Sequence, residues 1–219
     1  MTVNQSQFQT MRQHMIESQL RTTDVKDPAV LGAIAKVARE NYVPAESAGF
    51  SYIDRAIPLG EGRSLNPPLT IGRMIIEAGI RETDTVLLIG GATGYTADVL
   101  SHIAHRVVVV EESAALAAKA REQLAGRANV TLIEAPLTEG GAAGTLYDVI
   151  LIDGAVEEVP AAIARQLSPS GRIIAAIRDR GVTRLSRGVR TGDQLSFSHF
   201  ADMDVAPLPG FAKPKVFSF

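Results

Sequence analysis

Between Val86 and Tyr95 the chain reads Val-Leu-Leu-Ile-Gly-Gly-Ala-Thr-Gly-Tyr, an apolar run that stops in a glycine-rich turn and opens a helix-like segment from Thr96 to His102. A buried parallel strand that feeds a tight turn and a helix N-terminus presents free backbone N–H groups and a positive dipole end to a polar or anionic ligand. Two common ligands are excluded by the spacing. A dinucleotide fingerprint needs Gly-x-Gly-x-x-Gly, and those three positions here are Gly90, Ala92 and Tyr95. A nucleotide-hydrolase phosphate loop ends in Gly-Lys-Ser/Thr, whereas Gly94 is followed by Tyr95 and Thr96, so the lysine is missing.

What remains is Gly90-x-Ala92-x-Gly94, with Gly91 inside it. This is close to the Gly-x-Gly-x-Gly turn of S-adenosylmethionine enzymes, in which small residues let the backbone approach the ligand. An ordinary strand-to-helix turn with no ligand is the competing reading of the same residues. Two acids lie where a doubly wound sheet would use them. Glu111 ends the Val107–Val110 run about twenty residues past the turn, the place from which a carboxylate accepts hydrogen bonds from ribose hydroxyls. Its neighbour Glu112 competes for that role, and a solvated carboxylate at a strand end is the plainer alternative. Asp153 closes the run Asp148 to Ile152 on the same crevice side, as a ligand contact or as a cap for the following turn.

These residues need elements to hold them. From Thr85 onward strand and helix signals alternate. Strands are expected at 85–89, 106–110, 130–133, 149–152 and 172–177, each apolar enough to be buried on both faces. Helices are expected at 96–104, 113–124 and 159–167, with Ser113 and Pro160 as start signals. Upstream, Phe8, Met11 and Met15 share a helical face. Asp27-Pro28 reads as an N-cap with first-turn proline, and Val30, Ala33, Ile34 and Val37 form an amphipathic stripe. Residues 50–68 break this pattern into a polar, Gly- and Pro-rich loop, the kind that carries function. Pro67-Pro68 then starts a helix with Ile71, Met74, Ile75 and Ala78 on one face. After Arg178 a polar stretch holds two or three short β-like runs, the last being Val216-Phe217-Ser218-Phe219, which suit an antiparallel edge on the parallel sheet.

Composition narrows the classes further. At 219 residues and 46% hydrophobic content the chain suffices for one α/β domain, read here as 1–219, with helices and a substrate-side loop in 1–68, a βα core in 69–178 and a β edge in 179–219. A net charge of −2 supplies no overall positive field for nucleic acid or an anionic membrane. The absence of cysteine excludes disulfides and thiolate chemistry. Residues 1–7 show neither the basic nor the apolar region of a secretion signal, so a cytoplasmic location is expected. His14, His102, His105 and His199 make no defensible ligand spacing, and no metal is expected. Arg178, Arg180, Arg184, Arg187 and Arg190 form a basic run, read as a solvated hairpin in preference to a face for an anionic partner.

Beyond these local readings, the chain from Met15 to Pro209 resembles the protein-L-isoaspartate O-methyltransferases. The resemblance rests on Gln19-Leu20-Arg21, on Arg39-Glu40-Asn41-Tyr42-Val43-Pro44 and on Tyr52-Ile53-Asp54 with Ile57 to Gly62. It continues through Gly90 to Tyr95, Glu111, Tyr147 to Ile150, Leu167 to Arg172 and Val205 to Leu208. It implies a class I methyltransferase fold, Rossmann-like and doubly wound, with a mostly parallel sheet, an N-terminal helical cover and an antiparallel C-terminal edge. It also implies S-adenosylmethionine as cofactor and a protein or peptide carrying an isoaspartyl carboxylate as substrate.

Four departures fall on site positions. Leu88 stands where the family has an acid before the turn, and Ala92 replaces its middle glycine. Glu134-Ala135-Pro136 replaces Gly-Asp-Gly, leaving Glu134 as the nearest acid to the adenine position. Gly62-Arg63-Ser64-Leu65-Asn66-Pro67-Pro68 replaces Gly-Gln-Thr-Ile-Ser-Gln-Pro, so Asn66 stands for the catalytic-site serine. The resemblance thus implies Gly90, Gly91, Ala92, Gly94, Glu111, Glu134 and Asp153 on the cofactor and Asn66 and Ser64 on the substrate carboxylate. Arg63 is read either as a partner for an anionic substrate or as a solvated surface arginine. The function expected is carboxyl methyl transfer in protein repair. The alternative is a non-catalytic relative that has lost the cofactor and serves as a binding protein. The oligomeric state is left open.

Overall fold

The computed structural model describes residues 4–192 and 194–213. The expected run 216–219 lies outside them. Nine strands are found among the described residues: β1 (Ile57–Gly60), β2 (Arg63–Leu65), β3 (Thr85–Ile89), β4 (Arg106–Glu111), β5 (Val130–Glu134), β6 (Tyr147–Val156), β7 (Leu167–Asp179), β8 (Val182–Thr191) and β9 (Gln194–Asp202). The last seven make one sheet in the order β5-β4-β3-β6-β7-β8-β9. Strands β3 to β7 are parallel, and β8 and β9 add the antiparallel edge. The strand order reverses between β3 and β6, and a sheet wound this way opens a crevice beyond the strand ends at that point.

Alternation along β3 explains why this strand is central. Val86 and Leu88 point into a cluster built with Met15, Ile34, Met74, Ile75 and Leu100, while Leu87 and Ile89 point into a second cluster with Leu137, Tyr147, Ile150 and Ile163. A strand apolar on both faces needs cover on both sides. On the first face the cover is α1 (Gln5–His14), a π-helical extension to Leu20, α2 (Pro28–Lys36), α3 (Pro68–Ala78) and α4 (Tyr95–Ser101). Asn4 closes a capping box with Gln7 on α1, and Asp27 Oδ1 accepts from the N–H groups of Ala29 and Val30 at 2.8 and 3.1 Å on α2. The stripe Val30, Ala33, Ile34 and Val37 is buried as its spacing demands. Further along, α5 (Ala114–Leu124) starts at Ser113, whose hydroxyl accepts from Leu116 N.

Three expectations change. The helix expected at 159–167 shrinks to α6 (Ala161–Ala164), because Leu167 is captured by β7 opposite Tyr147 and both side chains are wholly buried. Strands β6 and β7 run longer than their apolar cores, and their register shifts between Leu151 and Ala155, so β6 bulges where Asp153 sits. The irregular segment 50–68 contains a separate hairpin, β1 against β2, closed by Gly60, Glu61 and Gly62, all at positive φ. The arginine run is the β7–β8 hairpin as expected, with Arg184 and Arg187 ion-paired to Asp202 and Glu77. No helix among the described residues is long and apolar enough to cross a membrane.

Candidate functional site

The turn after β3 sits at the crevice. Gly90 and Gly91 donate to Val110 O at 2.9 and 3.2 Å, fixing the turn to the end of β4. Gly90 and Gly94 have φ of 83° and 99°, and Ala92, at 48°, also takes the left-handed conformation. That conformation costs a residue with a Cβ about 1–2 kcal/mol. Gly91 is fixed by space, since a Cβ there would stand 2.2 Å from Val109 Cγ1. Ala92 N donates to Glu111 Oε2 at 2.7 Å, which makes Glu111 the acid that locks the turn. Glu112, its competitor, is exposed.

Glu111 is buried without residue and holds a second partner. Arg63, carried on β2, donates from Nη1 to Oε1 at 2.8 Å and to Oε2 at 3.0 Å, and the two side chains are 4% and 0% exposed. Ser113 N donates to Oε1 at 3.0 Å. Each carboxylate oxygen thus accepts from Arg63 and from one backbone N–H. Arg63 is therefore neither a solvated arginine nor a cation held out to a substrate; it is bound to the chain's own acid.

Beside this pair lies a second network. Asp153 accepts from Asn66 Nδ2 at 2.7 Å and from Thr96 Oγ1 at 2.6 Å. Burial pushes its carboxyl above the usual range, while the bonds from Thr96 and Asn66 pull it back. Asn66 is held from behind as well, because Arg39 Nη2 donates to its carbonyl at 2.6 Å and Arg39 Nε donates to Ser51 O at 2.7 Å. Arg39 is wholly buried with its guanidinium 4.6 Å from the Tyr95 ring, and burial lowers its pKa. The C-terminal segment completes the wall: Ala206 N donates to Asn66 Oδ1 at 3.3 Å, and Leu208 packs against Gly90 and Gly154.

The residues expected on the cofactor divide accordingly. Gly90, Gly91, Ala92 and Gly94 form the turn, and Glu111 and Asp153 converge on it together with Asn66. Glu134, exposed at the end of β5, is paired to Arg121 at 2.9 Å and is not part of the buried network. Ser64 lies half-buried on β2 opposite Pro58 and has no side-chain hydrogen bond among the described residues. Leu88 is buried in the core cluster facing the helices. Sequence reasoning missed Thr96, Arg39 and Leu208. The Gly60-Glu61-Gly62 turn between two β-like triplets was the one signal that could have placed Arg63 on a hairpin.

The residue types suit an adenosyl group, and the acid that would hold its ribose is engaged by the chain's own donors. Glu111 would receive ribose hydroxyls, yet its lone pairs are already taken by four hydrogen bonds. At the same turn, Leu208 Cδ1 and Arg63 Nη2 come within 2.8 and 3.1 Å of where a Cβ on Gly90 would stand, so both side chains pack on Gly90.

A sheet of this order, with a glycine turn after its first parallel strand and an acid at the end of the next, is Rossmann-like and doubly wound, the fold class I methyltransferases have. Solved structures agree on the fold. One protein-L-isoaspartate O-methyltransferase superimposes with a TM-score of 0.79 at 23% identity over 91% of this chain and 66% of that one. A putative protein-L-isoaspartate O-methyltransferase from Plasmodium falciparum, solved with S-adenosyl-L-homocysteine, gives 0.78 at 15% identity over 90% of this chain and 97% of that one. The family model for Protein-L-isoaspartate(D-aspartate) O-methyltransferase matches residues 10–209. The protein-L-isoaspartate O-methyltransferase of Roseiflexus castenholzii is 37% identical over 205 residues, 93% of this chain and 94% of that protein. That of Methylorubrum populi is 34% identical over 198 residues, 90% and 92% of the two chains. The chain belongs to the protein-L-isoaspartate O-methyltransferase family.

Proposed function

We propose that this protein is an S-adenosylmethionine-dependent methyltransferase that esterifies the free carboxylate of isoaspartyl residues in proteins and peptides, a protein-repair reaction. The observation that carries this reading is the family match over residues 10–209, which spans the hairpin, the glycine turn, Glu111 and Asp153 together. A carboxylate with an ordinary pKa near ~4 is ionised at neutral pH, so the nucleophile needs no general base. The protein's task is to orient the reactants and exclude water. We assign Asn66 and Ser64 to the substrate carboxylate, and Gly90, Gly91, Ala92, Gly94, Glu111, Glu134 and Asp153 to the cofactor. A groove of about 460 Å³ lined by Asp54, Arg55, Pro67, Arg178 and Ala206 reaches the surface beside Asn66 and offers a protein chain both charge signs. A cytoplasmic location belongs to the same proposal, since a chain without cysteine suits a reducing compartment. The test is methyl incorporation from labelled S-adenosylmethionine into paired peptides that differ only in an isoaspartyl or an aspartyl linkage. Base-labile label in the isoaspartyl peptide alone is expected; no label in either would end the reading.

A further inference from the structure

We propose that Arg63 is a latch on the cofactor cleft: it occupies the acceptor oxygens of Glu111 in the closed protein and must leave them before an adenosyl ligand can enter. The inference rests on the proposed cofactor reading and adds the regulation of that site. Three observations carry it. First, the two oxygens that would meet ribose hydroxyls are the two to which Arg63 donates, at 2.8 and 3.0 Å, in a pair almost free of solvent. Arginine and ribose therefore compete for one acceptor. Second, Arg63 rides on a hairpin outside the main sheet, held by three paired positions and closed by Gly60, Glu61 and Gly62 at positive φ. Ile57, Leu59 and Leu65 anchor this hairpin in the core, so the part that leaves Glu111 is the Arg63 side chain itself. Third, Glu111 keeps two bonds when Arg63 leaves, from Ala92 N and Ser113 N, so the turn stays locked while the cleft opens.

The same hairpin leads into Asn66, which holds Asp153. Arg63 thus stands three positions before the residue assigned to the substrate, and cofactor entry and substrate positioning meet in one short segment. A ligand that binds only the open form has its affinity reduced by the fraction of open protein, so a cleft open in one molecule in a hundred binds about a hundredfold more weakly than a cleft always open.

The test compares S-adenosylhomocysteine binding by calorimetry in the unaltered protein and in Arg63→Gln. Binding about tenfold or more tighter in the variant supports the latch. Equal affinities, or tighter binding by the unaltered protein, overturn it and leave the cofactor reading standing; no binding by either overturns both. If Arg63→Gln does not fold, arginine ¹⁵N resonances of the unaltered protein decide. The Arg63 guanidinium protons are expected to be protected in the free protein and to lose protection at saturating S-adenosylhomocysteine. Protection retained with the ligand bound overturns the proposal.

Discussion

At the scale of single residues, the site is governed by which donors satisfy which buried carboxylates. Glu111 ends β4 and Asp153 sits at the bulge of β6, on either side of β3; the first accepts four hydrogen bonds from the chain and the second two. Leu88 and Ala92 act by volume: the first extends the core, and the second places a methyl group on a turn that a glycine would make without strain. Asp153 leads to a pH prediction. Burial raises its carboxyl pKa, so the folded protein holds that proton more tightly than the unfolded chain does. Its contribution to stability is fully present below the unfolded carboxylate value of about 4 and is lost as pH rises through the raised folded value. In Asp153→Asn this dependence is removed. Urea unfolding across a pH series is expected to show the unaltered protein losing stability relative to the variant as pH rises; a flat difference would refute the burial argument.

At the scale of elements, two small irregularities build the cleft: the bulge in β6 that turns out Asp153, and the β1–β2 hairpin that delivers Arg63. Neither follows from periodicity, since a bulge is a defect in a strand's register and the hairpin strands are only a few residues long. A third device holds the cover to the sheet. Arg172 on β7 donates from Nη2 to Asp84 Oδ2 at 2.7 Å and to Gly79 O at 2.6 Å, and its Nε bonds Ala78 O, so it closes the C-terminus of α3 and the entry to β3 at once. Replacing it by methionine preserves bulk but leaves Asp84 only its bond from Arg81 N and two terminal carbonyls without their donor. The expected loss is about 3–5 kcal/mol, read as a lower denaturant midpoint at unchanged slope. A loss within 1 kcal/mol, the range of an exposed ion pair, would show that this clamp is not buried in solution.

At the scale of the whole molecule, the segments 1–68, 69–178 and 179–219 share their cores. Met15 and Leu20 from the first, Val86 and Leu88 from the second and Leu185 and Val205 from the third meet in one cluster, while Leu208 and Phe211 join the other. We therefore expect one calorimetric unfolding transition with matching van't Hoff and calorimetric enthalpies; a separate early transition for the C-terminal strands would refute this unity. The sequence by itself determined the βα rhythm, the faces of the helices, the caps at Asp27 and Ser113, the glycine turn and the family, because these are encoded in neighbours a few residues apart. It also named the acids Glu111 and Asp153 by their place at strand ends. Only the tertiary structure decided that Arg63, 48 positions from Glu111, fills its acceptor sites, and that Asn66, 87 positions from Asp153, is tied to it. Such bonds depend on where the winding of the sheet brings distant loops together, and nothing in a local pattern of residue types records which donor arrives first.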